Sequence, residues 1–422
     1  MPTDFERALR IGRPPNIVKL FPHSRALLVS GKFIDRGFRA RGGAICMAAN
    51  GRNHLVIRGV LQAAQRANAA LIVEIARSES TYCPVHFWNI ARQVDALMNE
   101  MGVTVPVAVH ADHYGIKTPD DIAPAKAEIP SLFDFGITSI AIDASHMPDE
   151  RNLLSSIEII RDVVPPWSGL ETEVGEIKGK AGLSTVAEAR FLIQGLNAHD
   201  IFPNWIALNN GTTHGIEASD EGIQVDLTAD IHEALAPYGV SGAQHGTSGN
   251  SSDRLRAIAE KTRTTKANVA TALQMVGWGL KVNDYGNAIL DDDGNFIKMP
   301  DEGVTEAVWS EMTAYAADKG WTGGNYKKLN LPFENRILGQ PRGVRERMAK
   351  RVETFAHEMM TKVFNAGDSA EPVLAAILEA GGYDPGPTAG RLEDPADWTP
   401  ERIAERAGAI PSDKGPAGDF DD

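Results

Sequence analysis

Short apolar or β-branched runs alternate with stretches of helical period along most of this chain. Eight runs have the composition of strands: AICMAAN (44–50), ALIVEIA (70–76), VPVAVHA (105–111), SIAIDAS (139–145), GLETEVGEI (169–177), WIALNNG (205–211), GVSGAQHG (239–246) and GLKVNDYG (279–286). Between them, segments such as NIARQVDALMNEMG place apolar residues three and four positions apart, as an amphipathic helix does. Strands that alternate with helices favour parallel pairing through right-handed crossovers. Eight such units in roughly 250 residues predict an α/β fold, the (β/α)8 TIM barrel.

The main alternative is a doubly wound open sheet, but no G-x-G-x-x-G sequence follows the first run. We therefore expect one catalytic barrel domain over residues 41–365, which includes the helices after the eighth run. A basic extension (1–40) precedes it and an acidic, Pro/Gly-rich extension (366–422) follows it. The basic arm could dock on the acidic body, bind a partner subunit or remain solvated. The tail is expected to be loosely ordered or to wrap the surface.

Composition narrows the possible partners and the compartment. The 422 residues are 43% hydrophobic and 23% charged, which is ordinary for a globular protein. A net charge of −14 argues against nucleic acid as a partner. The apolar runs are shorter than the ~20 residues of a membrane span, so no membrane association is expected. Cys46 and Cys83 form no disulfide framework, and the N-terminus has no apolar signal region, which predicts a cytoplasmic protein.

Polar residues gather where the third to eighth runs end. They are His110, Asp112 and His113; Asp143, Ser145 and His146; Glu171 and Glu173; His214; His245; and Asn283 with Asp284. Active sites of (β/α)8 barrels lie at the carboxyl ends of the strands, so these side chains are expected at one rim. Alternation along a strand puts His110 and Asp112 on the same face, so one of His110 and His113 is not expected to bind a metal.

Three of these histidines suit a catalytic metal centre. Catalytic zinc sites use three protein ligands and leave one position open, and His113, His214 and His245 each stand just past a predicted strand. The turn Gly246-Thr247-Ser248-Gly249 follows His245 directly. A glycine-rich turn at that place in a barrel can offer backbone N–H groups to a phosphate or another anion.

Together these segments resemble the class II (metal-dependent) fructose-bisphosphate aldolases over roughly residues 40–290. The matching boxes are HADH (110–113), IDASH (142–146), ETEVG (171–175), GTTHG (211–215), HGTSG (245–249) and KVN (281–283), in the order in which the family has them. The later NYKKLNLPFENR also resembles a segment of the dimeric branch that carries a substrate-binding arginine. The resemblance thus implies a homodimer.

The resemblance also implies roles for the residues. His113, His214 and His245 would bind Zn²⁺, with Glu173 as a nearby or alternate ligand, and Asp112 would be the catalytic acid/base. The implied substrate-binding residues are Asn50, Gly215, Gly246, Thr247, Ser248, Asn283, Asp284 and Arg336. The implied reaction cleaves or forms a C–C bond of a ketose phosphate, such as fructose 1,6-bisphosphate, through a zinc-stabilised enediolate. Because the cation stabilises the negative charge of the enediolate, this mechanism needs no Schiff-base lysine.

Two regions depart from the family. After strand five the family has a pair of acidic residues, one of which abstracts a proton from the triose donor, whereas this chain has Lys180 and Ala181 there. We assign that role to Glu176. The alternatives are that Glu188 takes it or that the substrate needs no such step. The phosphate contacts differ as well: Ala76 and Arg77 replace the usual serine, and acidic IEASDE follows GTTHG. These changes suggest a singly phosphorylated, carboxylated or sulfonated substrate, with Arg77, Lys178 and Lys180 as candidate contacts.

Two other functions are compatible with parts of the sequence. A non-catalytic, aldolase-like subunit would explain the missing loop acids, although it would have no use for three converging imidazoles. A metallohydrolase barrel usually presents His-x-His on its first strand, whereas the first run here ends CMAAN. A metal-dependent aldolase is therefore the function that the sequence favours.

Overall fold

Eight parallel strands close into a barrel in chain order, which confirms the predicted (β/α)8 fold. The computed structural model describes residues 2–175, 182–212, 222–247, 250–283 and 286–411. The strands are β1 (Cys46–Asn50), β2 (Leu71–Ala76), β3 (Val107–Gly115), β4 (Ser139–Asp143), β5 (Gly169–Val174), β6 (Trp205–Leu208), β7 (Ser241–Gln244) and β8 (Thr264–Val269). The barrel closes where β1 pairs with β8.

Helices surround the barrel and extend beyond it at both ends of the chain. Over the described ranges they are α1 (Asp4–Ile11), α2 (Pro15–Leu20), α3 (Gly31–Arg41), α4 (His54–Ala67), α5 (Ile90–Met101), α6 (Ile122–Asp134), α7 (Asp149–Val163), α8 (Val186–Ala198), α9 (Val225–Leu235), α10 (Ser252–Lys261), α11 (Thr271–Trp278), α12 (Glu306–Asp318), α13 (Asn330–Leu338), α14 (Arg342–Glu358), α15 (Ala370–Ala380) and α16 (Pro400–Gly408). Within those ranges, none of these helices has both the length and the apolar composition that a bilayer crossing requires.

Polar caps begin several of the helices that follow strands. The Asn53 side chain accepts hydrogen bonds from two backbone N–H groups at the start of α4, and the Ser251 side chain accepts one at the start of α10. At the start of α8, Thr185 and Glu188 form a reciprocal capping box. The Glu188 carboxylate, an alternative candidate for the loop acid, is thus engaged at a helix terminus, with Oε2 2.9 Å from both Thr185 N and Oγ1.

The eighth strand lies elsewhere than the sequence pattern predicted. We expected it at 279–286, whereas β8 is Thr264–Val269. TTKANV has few apolar residues, so hydrophobic periodicity overlooks it, yet all six residues are buried. The described residues of the predicted segment lie beyond α11 and form isolated bridges, such as Val282 with Ala288. That prediction was wrong.

Charged and polar side chains fill the centre of the barrel, where most such barrels hold branched aliphatic residues. Glu74 from β2, His110 from β3, Glu171 from β5 and Lys266 from β8 are all fully buried. Glu74 and His110 are direct neighbours in the parallel register. A buried polar network therefore lies beneath the side chains at the carboxyl ends of the strands.

The amino-terminal extension docks on the body of the protein. Helix α3 passes so close to the barrel that a Cβ at Gly31 would lie 2.6 Å from Ser139 Oγ. Further along α3, Lys32 Nζ pairs with an Asp384 carboxylate oxygen at 3.0 Å. The carboxyl-terminal segment also packs down, since Trp398 is buried against Phe191 with ring centroids 5.6 Å apart. Both extensions thus contact the barrel over their described residues.

Candidate active site

Two of the three predicted metal-binding imidazoles meet above the carboxyl ends of the strands. The rings of His113 and His245 have centroids 4.3 Å apart. Ligand atoms of Asp112, His113 and His245 all lie within 4.8 Å of one another. The third histidine, His214, lies outside the described residues, as do Glu176, Lys178, Lys180, Gly215, Ser248 and Asp284. Their roles stay predictions.

A backbone irregularity aims His113 into the site. The pairing of β3 with β4 shifts register between Ala111 and Tyr114, and His113 has a φ of 44°. Regular alternation would send Asp112 and His113 to opposite faces. A bulge re-aims a side chain, and left-handed backbone at a non-glycine residue is a strained feature that clusters at functional sites. The bulge therefore brings the carboxylate and the imidazole together.

Two further carboxylates surround His113. Its Nδ1 lies 3.1 Å from Glu173 Oε1 and 3.6 Å from Asp143 Oδ2. Asp143 is itself fixed by the Ser145 backbone N–H at 3.0 Å and the Ser145 hydroxyl at 2.6 Å. Burial disfavours the imidazolium, yet Glu173 and Asp112 outweigh it and raise the pKa of His113 well above its ordinary value. Glu173 also lies 3.8 Å from His245 Nδ1, so this group of nitrogen and oxygen donors fits a divalent cation.

His110 has a different environment from His113. It lies deeper in the barrel, where its Nδ1 lies 2.8 Å from Ser139 Oγ. Burial, together with the charge of Lys266, lowers the pKa of His110 to about 3, so this imidazole is neutral near pH 7. Of the two histidines in HADH, His113 is the one beside His245, as the sequence analysis assigned it.

Asp112 is held from two sides. Asn268 Nδ2 lies 3.2 Å from Oδ1 and 3.1 Å from Oδ2, and Lys266 Nζ lies 3.4 Å from Oδ1. Burial alone would raise the pKa of Asp112, but the charges of His113 and Lys266 lower it below the ordinary range. The carboxylate is therefore ionised and oriented, as a general base requires.

Asn268 was missed by sequence reasoning. It stands near the end of β8, the place that we had assigned to Asn283. The error has an identifiable source: within residues 260–290, Lys-x-Asn stands both as KAN at 266–268 and as KVN at 281–283, and of these two the second lies in an apolar run. Asn283 lies beyond α11, and its Oδ1 accepts a hydrogen bond from the Asn287 N–H at 2.9 Å. The structural reason for choosing Asn283 therefore no longer holds.

Substitution distinguishes the two asparagines. Asn268→Ala is expected to lower kcat/KM for the proposed cleavage ~10- to 100-fold, because it removes a donor to a buried carboxylate. Asn283→Ala is expected to lower it far less. Steady-state kinetics of both variants provide the comparison, and a larger loss in Asn283→Ala would restore the original assignment.

Asn50 fits its predicted place at the mouth of the barrel. It ends β1 and is buried, with Nδ2 2.8 Å from Glu79 Oε2. Its Oδ1 is buried and has no hydrogen-bond partner among the described residues, so the role of Asn50 in substrate binding stays a prediction.

The other described candidates for substrate contacts have protein partners. The Thr247 hydroxyl donates to the Asn268 carbonyl at 2.5 Å, and Gly246 turns the chain with a φ of 61°. Arg336 lies on α13 with its side chain 56% exposed, and its Nε donates to Glu311 Oε2 at 2.8 Å. A terminal phosphate would have to compete with Glu311 for that guanidinium.

A buried ion pair fixes the loops after β1 and β2. Arg52 Nε lies 2.5 Å from Glu79 Oε1, and both side chains are 1% exposed. The other Glu79 oxygen accepts from Asn50 and from the Ala76 backbone N–H at 2.9 Å. Glu79 thereby holds the ends of two neighbouring strands together beside the site.

Glu79→Gln is expected to destabilise the protein by about 3–5 kcal/mol, because it leaves the Arg52 charge buried without its carboxylate. Urea denaturation followed by circular dichroism measures the change. The control is Glu346→Gln, which breaks an exposed pair with Arg342 (2.7 Å) and is expected to cost under about 0.5 kcal/mol. Equal effects of the two substitutions would contradict a structural role for the buried pair.

Comparison with known proteins identifies the family. A family model described as "Fructose-bisphosphate aldolase class-II" matches residues 39–319. The fructose-bisphosphate aldolase of Streptococcus pneumoniae serotype 4 is 27% identical over 261 residues, which cover 59% of this chain and 80% of that protein. Among solved structures, the YdjI aldolase of Escherichia coli matches with a TM-score of 0.53 and 16% identity over 81% of this chain and 98% of its own. The fructose-bisphosphate aldolase (Fba) of Campylobacter jejuni matches with a TM-score of 0.52 and 19% identity over 82% and 97%. The chain therefore belongs to the class-II fructose-bisphosphate aldolase family.

Proposed function

We propose that this protein is a metal-dependent aldolase that cleaves or forms a C–C bond of a ketose phosphate, such as fructose 1,6-bisphosphate. The observation that carries the proposal is the convergence of His113 and His245 beside the ionised Asp112. Family membership supports the reaction class, and the 27% identity to a fructose-bisphosphate aldolase leaves the substrate itself as part of the proposal.

The residues that would hold the cation are His113, His245 and Glu173, and the sequence adds His214 as a further ligand. We propose Zn²⁺, which binds imidazole and carboxylate donors in this combination. When bound, such a cation withdraws electrons from substrate oxygens and stabilises the negative charge that develops when the C–C bond breaks. Because a histidine must be deprotonated to bind a metal, His113 would give up its proton to the solvent when the cation binds.

Asp112 would act on the proton of the substrate. In the cleavage direction, its carboxylate accepts the proton of the hydroxyl at the bond to be broken. The oxygen then forms the carbonyl of the departing aldehyde, while the electron pair of the broken bond remains on the ketone-derived half. Asn268 and Lys266 fix the two oxygens of Asp112, so the base meets the substrate without reorientation.

A Schiff-base mechanism is disfavoured although a lysine lies in the barrel. Burial alone would lower the pKa of Lys266, but the carboxylates of Glu171, Glu74 and Asp112 outweigh it and raise that pKa above its ordinary value. An amine must be deprotonated to attack a ketone. Lys266 therefore remains an ammonium group and cannot serve as the nucleophile.

The substrate contacts differ from the family pattern at Arg77. Its guanidinium lies over the Tyr114 ring, 4.4 Å from the centroid, and donates to the Gly115 carbonyl at 3.0 Å. The guanidinium also lies 3.8 Å from Glu128 Oε2, so a cation stands just past β2, where the family places a serine, and an anionic substrate would compete with Glu128 for it. We therefore include singly phosphorylated, carboxylated and sulfonated ketoses among the proposed substrates.

The test is a cleavage assay on chelator-treated protein with a panel of ketoses: fructose 1,6-bisphosphate, ketose 1-phosphates, and carboxylated and sulfonated ketoses. Aldehyde release is followed with a coupled dehydrogenase. We expect cleavage of at least one compound, loss of that activity after chelation and its return with added Zn²⁺. Cleavage that is indifferent to metal removal, or no cleavage of the whole panel by metal-loaded protein, would contradict the proposal.

A further inference from the structure

Lys266 lies at the centre of the barrel, directly beneath the site. Its side chain is fully buried, and Nζ forms ion pairs with Glu171 Oε2 at 2.9 Å, Glu74 Oε2 at 3.1 Å and Asp112 Oδ1 at 3.4 Å. The three carboxylates come from β5, β2 and β3. One ammonium group thus links three strands of the barrel from inside.

Two of those carboxylates lead directly into the proposed site. Asp112 is the proposed base, and its carboxylate also accepts a hydrogen bond from Asn268. Glu171 Oε1 lies 2.8 Å from His245 Nε2, on the imidazole that would bind the cation. Lys266 therefore contacts the proposed base directly and reaches the metal ligand His245 through one intervening group, Glu171.

The same ammonium group explains an acidic cluster that resembles a second metal site. Ligand atoms of Glu74, His110 and Asp112 lie within 4.8 Å of one another and could surround an ion. Lys266 Nζ already lies beside two of them, at 3.1 and 3.4 Å. The cation of this cluster is therefore the Lys266 ammonium group, which the negative charges of Glu74 and Asp112 hold in place.

We propose that Lys266 is a positioning residue, which orients Asp112 towards the mouth of the barrel and Glu171 towards His245. This inference rests on the proposed function and assigns it a further residue. Without the ammonium group, three carboxylates would be buried close together with no cation between them and would repel one another. Their reorientation would release His245 from its hydrogen-bond partner, and outer partners of metal-binding histidines typically contribute 10–100-fold to metal affinity.

The test uses Co²⁺ as the probe, because its visible absorption reports the ligand geometry without any substrate. Chelator-treated protein is titrated with Co²⁺, and kcat is measured on whichever ketose the wild type cleaves. Lys266→Met is expected to weaken Co²⁺ binding ~10- to 100-fold, to alter the visible spectrum, and to lower kcat more than it changes KM. The matched control is Lys32→Met, which removes a buried lysine that pairs with Asp384 instead, and its Co²⁺ affinity is expected to stay within about twofold of wild type.

A second variant covers the case in which Lys266→Met does not fold. Glu171→Gln keeps the size of the side chain and removes the charge that Lys266 holds, and it is expected to weaken Co²⁺ binding by a similar factor. A lower melting temperature with unchanged Co²⁺ affinity, spectrum and kcat in either folded variant would show a merely structural role and overturn the proposal. Because Co²⁺ binding is measured without substrate, failure of the ketose panel and failure of this inference are separate results.

Discussion

Asp112→Asn is expected to lower kcat about 10²–10⁴-fold while the protein keeps its fold and its bound metal. Asparagine has the size of aspartate, so contacts with Asn268 and Lys266 can persist in part. The amide cannot accept a proton, however, so the substrate hydroxyl loses its proposed base. The measurement is steady-state cleavage of the best substrate at saturating concentration, together with metal content per chain.

The matched control for that variant is Asp120→Asn, an exposed aspartate beyond the end of β3. Its kcat is expected to remain within about twofold of wild type, since surface substitutions change little. If Asp112→Asn retained full kcat with normal metal content, the proposed base would be wrong and another group would have to take the proton. A loss of metal in Asp112→Asn would instead make this carboxylate a ligand.

The second large effect is expected for His113→Ala, which removes the imidazole that the β3 bulge aims into the site. Loss of a direct ligand is expected to weaken Zn²⁺ binding by more than the ~10–100-fold attributed to outer partners, and cleavage activity should fall with it. Asp143 and Glu173 would also lose the group between them. Metal analysis of dialysed protein and the cleavage assay measure the two effects.

His199→Ala is the control for that variant. His199 directly follows α8 as its C-cap, and its Nδ1 lies 2.8 Å from the Gly195 carbonyl oxygen. Because this imidazole is bonded within its own helix, the variant should keep one metal per chain and full activity. Normal metal content and activity in His113→Ala would exclude His113 as a ligand.

The fold could be predicted because seven of the eight strands are apolar runs, each followed by a segment with the periodicity of an amphipathic helix. The eighth could not, because Lys266 and Asn268 give TTKANV a surface-like composition. Hydrophobic periodicity assumes that the interior is apolar, and in this barrel the centre is charged. The apolar run at 279–286, which also contains Lys-x-Asn, was the more conventional choice and was wrong.

The sequence predicted the part of the candidate site that depends on position at the ends of strands. Position at the carboxyl end of a strand correctly grouped Asp112, His113, Glu173 and His245, since parallel strands bring those ends together. It could not show that a bulge turns His113 inward, because a register shift leaves no mark in the alternation of side chains. Nor could it show that Lys266 pairs with acids from three other strands, because those contacts are distant in sequence.

The central claim, that a divalent cation is held between His113 and His245, is tested most directly by X-ray diffraction. Crystals grown with Zn²⁺ would be measured at the zinc absorption edge, so that the anomalous signal locates the ion. We expect one strong peak about 2.0–2.1 Å from a nitrogen of each imidazole, with Asp112 nearby. A peak elsewhere in the barrel, with those two rings turned away from each other, would contradict the claim.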